Sequence, residues 1–160
     1  MKRLLLVDHD PGVRELLSHH FDKRYELLYA ATGAAGLALL REHAVDLAVV
    51  EYRLPDGSGL ELLARIKARL PRLPVIMTTA SGSEWVCASA YELGARDYLI
   101  KPFHPEDLAS SVRFILSAAS RRREARQNAV RPPPPVRRAA PDRDEMAVHQ
   151  AARYIQAHYA

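Results

Sequence analysis

Cysteine and long apolar runs are both scarce in this chain, and each shortage narrows what the protein can be. One cysteine, Cys87, stands among 160 residues. A single thiol excludes an intramolecular disulfide and any multi-cysteine metal site, and Cys87 is expected as a small buried filler. No stretch of about 18 uncharged apolar residues occurs, so a membrane-spanning helix is not expected. The opening MKRLLLVDHD has only four apolar residues before Asp8. A secretory signal needs roughly 7–15, and a cytoplasmic protein is expected. No glycine-rich phosphate loop follows this first apolar run and no internal repeat is present, so a non-enzymatic role is expected.

Charge is unevenly placed. Residues 1–119 hold 14 Lys/Arg and 15 Asp/Glu, a net of −1, whereas residues 120–160 hold 9 and 4, a net of +5. The basic character therefore belongs to the end of the chain and says nothing about its main body.

Five apolar runs punctuate the first 100 residues: 4–7, 25–30, 47–50, 74–77 and 98–100. All but the second are continuous rather than alternating, as strands covered on both faces should be. Segments of helical period lie between and after them. Asp10 is placed as an N-cap with Pro11 at the first helical position, and Thr32 and Ser83 as further caps. Leu60, Leu63, Ile66, Lys67 and Leu70 share one face of a helix that Pro71 stops. Gly94 suits a helix C-terminus, and a last helix begins at Pro105 and is able to run into the arginines beyond. The expectation is an α/β fold: a doubly wound, five-stranded parallel sheet over residues 1–120 with right-handed crossovers. Four consecutive prolines then mark a basic, extended linker over 121–143. Helical spacing returns over 144–160, with Ala147, Ala151, Tyr154, Ile155 and His158 on one stripe.

In such sheets ligands sit outside the carboxyl ends of the strands. The first run ends in Asp8, His9 and Asp10, the third in Glu51, the fourth in Thr78 and Thr79, and the fifth in Lys101 and Pro102. Carboxylates gathered on one rim suit Mg²⁺, while a hydroxyl and an ammonium suit a phosphoryl group. Taken singly, Asp10 is better read as a helix cap, Thr79 as a turn residue and Lys101 as a solvated charge. Taken jointly, at the ends of four strands, they read as a site.

LLLVDHDP, LPDGSGLELL, PVIMTTAS and GARDYLIKPF together resemble the receiver domain of two-component response regulators, in order and over residues 1–119. The resemblance implies a flavodoxin-like receiver fold, Mg²⁺ held by an acidic pair and a third carboxylate, and phosphoryl transfer from a histidine kinase to that third carboxylate. It implies that Asp8 is the first acid, Thr79 the hydroxyl and Lys101 the lysine, with a Lys-Pro bond that is usually cis. Tyr98 takes the place of the aromatic switch. Two positions depart from the pattern: His9 stands where the second acid belongs, and Glu51 stands at the phosphoacceptor.

Those departures bear on chemistry. The metal set becomes Asp8, His9 and Glu51, with an imidazole among oxygen donors, whereas Mg²⁺ wants oxygen and imidazole favours softer metals. A degenerate site without Mg²⁺ is expected, and a protonated His9 would pair with Glu51 in place of the missing cation. The extra methylene of Glu51 moves its oxygen by about a bond length, and an error of roughly 1 Å costs on the order of 10²-fold in a reaction that depends on positioning. Glu51 is also long enough to reach toward Lys101 and Thr79. Imitation of the phosphorylated state and an inert site are weighed equally.

For partners, the resemblance implies a homodimer through the fourth helix, fifth strand and fifth helix, with Asp97 of one subunit paired to Arg113 of the other. The helix WVCASAYEL lacks the basic residues that would complete such a network. AVHQAARYIQAHYA resembles the opening helix of AraC-type helix-turn-helix domains, implying DNA contact only through a domain absent from this chain. The arginines of 121–143 read as a solvated linker or, less readily, as a phosphate-contacting patch. The expectation is thus an atypical, phosphorylation-independent receiver governing dimerisation and transcriptional output. Its alternatives are a true phosphoacceptor using Mg²⁺ and a histidine kinase, and an adaptor working by protein contact alone.

Overall fold

The computed structural model describes residues 1–21 and 23–130. Five parallel strands form one sheet in the order β2-β1-β3-β6-β7: β1 (Lys2–Val7), β2 (Tyr25–Ala30), β3 (Leu47–Glu51), β6 (Val75–Thr79) and β7 (Asp97–Ile100). A two-residue hairpin, β4 (Arg53–Leu54) with β5 (Gly57–Ser58), replaces the simple turn expected after the third run. Five helices complete the fold: α1 (Pro11–Phe21), α2 (Gly33–Glu42), α3 (Gly59–Arg69), α4 (Glu84–Glu92) and α5 (Pro105–Val130). The compact body comprises Met1–Arg123, and no helix among the described residues is long and apolar enough to cross a membrane.

The continuous apolar runs are explained by period-two burial on both faces. Leu5 and Val7 of β1 join Leu37, Val50, Leu63, Ile66, Val75 and Met77 on the face covered by α2, α3 and α4. Leu4 and Leu6 join Leu17, Phe21, Val49, Ile76, Leu108 and Val112 under α1 and α5. The exception, β2, is an edge strand with mostly half-buried residues.

The caps fall where their side chains dictate. The Asp10 carboxylate accepts from Gly12 N at 2.8 Å, Thr32 Oγ1 from Ala35 N at 3.1 Å and Ser83 Oγ from Val86 N at 3.2 Å. Gly94 follows α4 with φ +99°, a conformation glycine adopts without steric cost. Asp56, in the hairpin, reaches across to the start of α2 and accepts from Gly33 N and Ala34 N at 2.8 and 2.9 Å. Those two bonds hold its carboxyl below the usual range.

Several expectations need correction. Leu70 is not on the buried face of α3: the helix ends at Arg69, and Leu70, in its C-cap, is 40% exposed, while Leu62 is buried instead. Cys87 is half-buried on α4 rather than a core filler. The linker expected from 121 does not start there, because α5 is helical through Val130. Residues 121–130 are mostly arginine, glutamate, alanine and glutamine, all good helix formers, and the first proline is Pro132. The remainder of that linker and the helix expected at 144–160 lie outside the described residues.

One close approach fixes the end of β3. Gly59 N donates to Tyr52 O at 2.7 Å, and a Cβ on Gly59 would lie 2.2 Å from the backbone oxygen of Glu51. Gly59→Ala is therefore expected to lower stability by about 2–3 kcal/mol, as overpacking against unyielding backbone does. Urea denaturation reads this directly; an unchanged midpoint would refute the constraint.

Candidate functional site

Strand register assembles the rim. Val7 is opposite Val50, Glu51 opposite Thr78, and Thr79 opposite Ile100. Asp8, Glu51, Thr79 and Lys101 consequently emerge side by side at the carboxyl edge of the sheet. Asp8, Glu51 and Thr79 are buried, at 7%, 3% and 0% exposure. The Lys101–Pro102 bond is cis.

The Lys101 ammonium organises these groups. Its Nζ lies 2.7 Å from Asp8 Oδ2 and 2.5 Å from Glu51 Oε2. The remaining oxygens are also engaged: Asp8 Oδ1 accepts from Asp10 N at 2.9 Å and Glu51 Oε1 from Arg53 N at 3.2 Å. Burial alone would push the Lys101 pKa down. The hydrogen bonds and charges of Asp8 and Glu51 outweigh that and hold it above its ordinary value. One cation thus answers two buried carboxylates.

As a Mg²⁺ site this set fits poorly. Both carboxylates face an ammonium, and the third member, His9, is an exposed imidazole. Among the described residues no group of three or more His, Cys, Asp or Glu is arranged to hold a metal ion. The expected His9–Glu51 pairing also gives way, since the ionic partner of Glu51 is Lys101. A lysine stem reaches the buried rim from the next strand but one, and the short histidine side chain points outward from the loop.

Thr79 does not meet Glu51. Its hydroxyl accepts from Ser81 N at 3.2 Å and donates to Ser81 O at 3.3 Å, closing on the loop before α4. Tyr98 packs inward against the α3–α4 side of the core. Its hydroxyl is buried without a hydrogen-bond partner, and a Cβ on Gly82 would lie 3.6 Å from it. Burial raises the phenol pKa, with Cys87, Tyr52 and Glu51 adding to the effect.

Asp97 and Arg113 lie on different flanks of α5. Asp97 accepts from Ser111 Oγ, from Tyr98 N at 2.8 Å and from Tyr91 Oη at 3.5 Å. Arg113, roughly 200° around the helix from Ser111, binds Glu106 at 3.1 Å and Ser110 at 3.0 Å. It lines a cleft of about 480 Å³ with His20, Phe21 and Tyr25. The expected Asp97–Arg113 pairing through one face is therefore corrected: two residues apart on a helix, Ser111 and Arg113 cannot both face Asp97. Sequence reasoning missed Ser111 as its partner and Gly59 as the residue that fixes Glu51. The glycine immediately before an apolar helical run was the available signal for the second.

The response regulator receiver domain family matches residues 4–113, and the chain belongs to it. Transcriptional regulatory protein CpxR of Klebsiella pneumoniae is 38% identical over 117 residues, covering 72% of this chain and 50% of CpxR. Transcriptional regulatory protein AfsQ1 of Streptomyces coelicolor is 34% identical over 122 residues, covering 76% and 54%. The chain thus spans about half the length of the curated relatives it matches. Among solved structures, a CheY-like receiver domain protein from Methanospirillum hungatei superposes with a TM-score of 0.73 at 30% identity, covering 76% of this chain and 98% of that one. DrrB of Thermotoga maritima, an OmpR/PhoB homolog, gives 0.68 at 30%, covering 74% and 54%.

Replacing Lys101 by Met leaves two buried carboxylates without a cation, and removal of one partner from a buried ionic group costs about 3–5 kcal/mol. The variant is expected to be destabilised by that order and to regain part of the loss in millimolar Mg²⁺, while the natural protein does not respond. Thermal melts with and without Mg²⁺ check both; a natural chain that Mg²⁺ stabilises as strongly would contradict the tethered-cation account.

Proposed function

We propose that this chain carries a receiver domain whose switch no longer runs on phosphorylation, and that it serves as a regulatory and dimerisation module for transcriptional output. The observation that carries this reading is the Lys101 ammonium lodged between Asp8 and Glu51 at 2.7 and 2.5 Å. In a phosphoacceptor rim an ammonium of this kind is held for phosphoryl oxygens and a metal balances the acids. Here the longer Glu51 side chain brings its own negative charge to Lys101. The inward packing of Tyr98 supports a rim that imitates occupancy rather than one that is merely empty of function. A histidine kinase and Mg²⁺ are then dispensable for the output.

Transcriptional output is inferred from relatives whose names describe transcriptional regulators. DNA would be read by a domain beyond the receiver, in keeping with the AraC-like spacing at 147–160. The self-association face is the edge made by α4, β7 and α5. There Tyr91, Ile100 and Phe114 are 48%, 55% and 71% exposed, so contact is apolar rather than an Asp97–Arg113 network. Asp8, His9 and Glu51 are remnants of the metal set, Thr79 and Lys101 of the phosphoryl contacts, and Tyr98 is the switch residue.

Intact mass after incubation with a small-molecule phosphodonor and Mg²⁺ tests the reading. Only a His9→Asp/Glu51→Asp double variant is expected to gain a phosphoryl group. A gain by the natural chain would make it an ordinary phosphorylation switch.

For the partner face, Ile100→Asp and Phe114→Asp are each expected to shift the protein toward monomer by at least tenfold in dissociation constant. Sedimentation velocity decides this, and an unchanged distribution would move the interface elsewhere.

A further inference from the structure

The last quarter of α5 has no role in the receiver body. Leu116 is the last residue of the helix classed as buried, and Arg121, Arg122, Arg123 and Arg126 are all exposed. None of the four makes an ion pair among the described residues. Residues 121–130 hold four arginines and one acid, Glu124, for a net of +3.

Helix geometry sorts these charges. At about 100° per residue, Arg122, Arg123 and Arg126 fall within an arc of about 100°, with Arg121 at its margin. Glu124 falls on the opposite side. Arg122 and Arg126 are about 6 Å apart along the axis, so one face of a regular helix presents guanidinium groups and no carboxylate.

Three features select the partner. The basic groups are all arginine, whose planar fork matches phosphate oxygens in bidentate fashion. An interfacial membrane helix needs large apolar residues opposite its basic face, and from Ser117 to Asn128 the only apolar side chains are alanines. The sequence beyond stays rich in arginine, with Arg131, Arg137, Arg138 and Arg143, so the positive field extends along the chain.

We propose that the arginine face of α5 binds the phosphate backbone of double-stranded DNA without regard to base sequence. Such contacts position a protein on a duplex and specify nothing by themselves. The proposal does not depend on the state of Glu51, because it concerns residues outside the rim.

The test is fluorescence anisotropy of the full 160-residue chain on labelled duplexes of two unrelated sequences, across salt concentrations from about 50 to 200 mM. Both duplexes should bind alike, with log K falling linearly in log salt. An Arg121/Arg122/Arg123/Arg126→Gln variant should bind at least tenfold more weakly at the lowest salt. Its slope should be shallower by about 3–4, near 0.9 for each lost phosphate contact. Circular dichroism establishes that the variant keeps its helix, as glutamine permits. The proposal is overturned if the natural chain does not bind at about 50 mM salt, or if the variant keeps the natural affinity and slope. It is overturned equally by anionic phospholipid vesicles retaining the chain when the duplexes do not.

Discussion

The rim depends on a single ammonium. Asp8 and Glu51 are carried to the edge by strands whose side chains are otherwise apolar, and neither acid is exposed enough to be hydrated as a free ion. Two such charges a few ångströms apart would repel strongly in a medium of low effective dielectric. Lys101, arriving from β7 on the far side of β6, answers both at contact distance. Its own burial is tolerable only because the acids are there, so the three side chains are mutually required. The backbone contributes too, through Asp10 N and Arg53 N. A site built this way is complete in itself, which separates it from a rim that must recruit a divalent ion to be neutral.

Much of this was legible in the residues. Continuous apolar runs announced buried parallel strands, and the residues directly after those runs are the ones that meet at the rim. Capping chemistry at Asp10, Thr32 and Ser83 located three helix starts because each depends on one short side chain and its neighbouring backbone. What could not be read was choice among partners. Glu51 had His9 and Lys101 as candidate cations, and only the register of β3, β6 and β7 decides that the lysine reaches it. Thr79 carries a hydroxyl whose direction depends on the loop through Ser81. Arg113 looked equivalent to Ser111 along the sequence, yet the helix turns them to opposite flanks.

Around the rim, the loop that follows Glu51 is held at both ends. Gly59 lies so close to the Glu51 carbonyl that no side chain fits, and Asp56 fastens the hairpin to the first turn of α2. The carboxylate of Glu51 therefore extends from a backbone with little freedom to withdraw. Its added methylene is expressed as reach toward Lys101 instead of being absorbed by a shift of the strand. The identity of one residue and the rigidity of its support have to be considered together, because a looser loop would have left the same glutamate elsewhere.

The split of β1 into Leu4 and Leu6 on one side and Leu5 and Val7 on the other has a consequence for how the domain tolerates change. A sheet one residue thick acts as a partition between two cores that share no side chains. Substitutions on opposite sides should combine nearly additively, since separated groups without common partners couple weakly. The layer beneath α1 and α5 can therefore be repacked while the layer beneath α2, α3 and α4 keeps its own fit. In that sense the domain accumulates change as two half-independent ledgers of packing, joined only where the strands end.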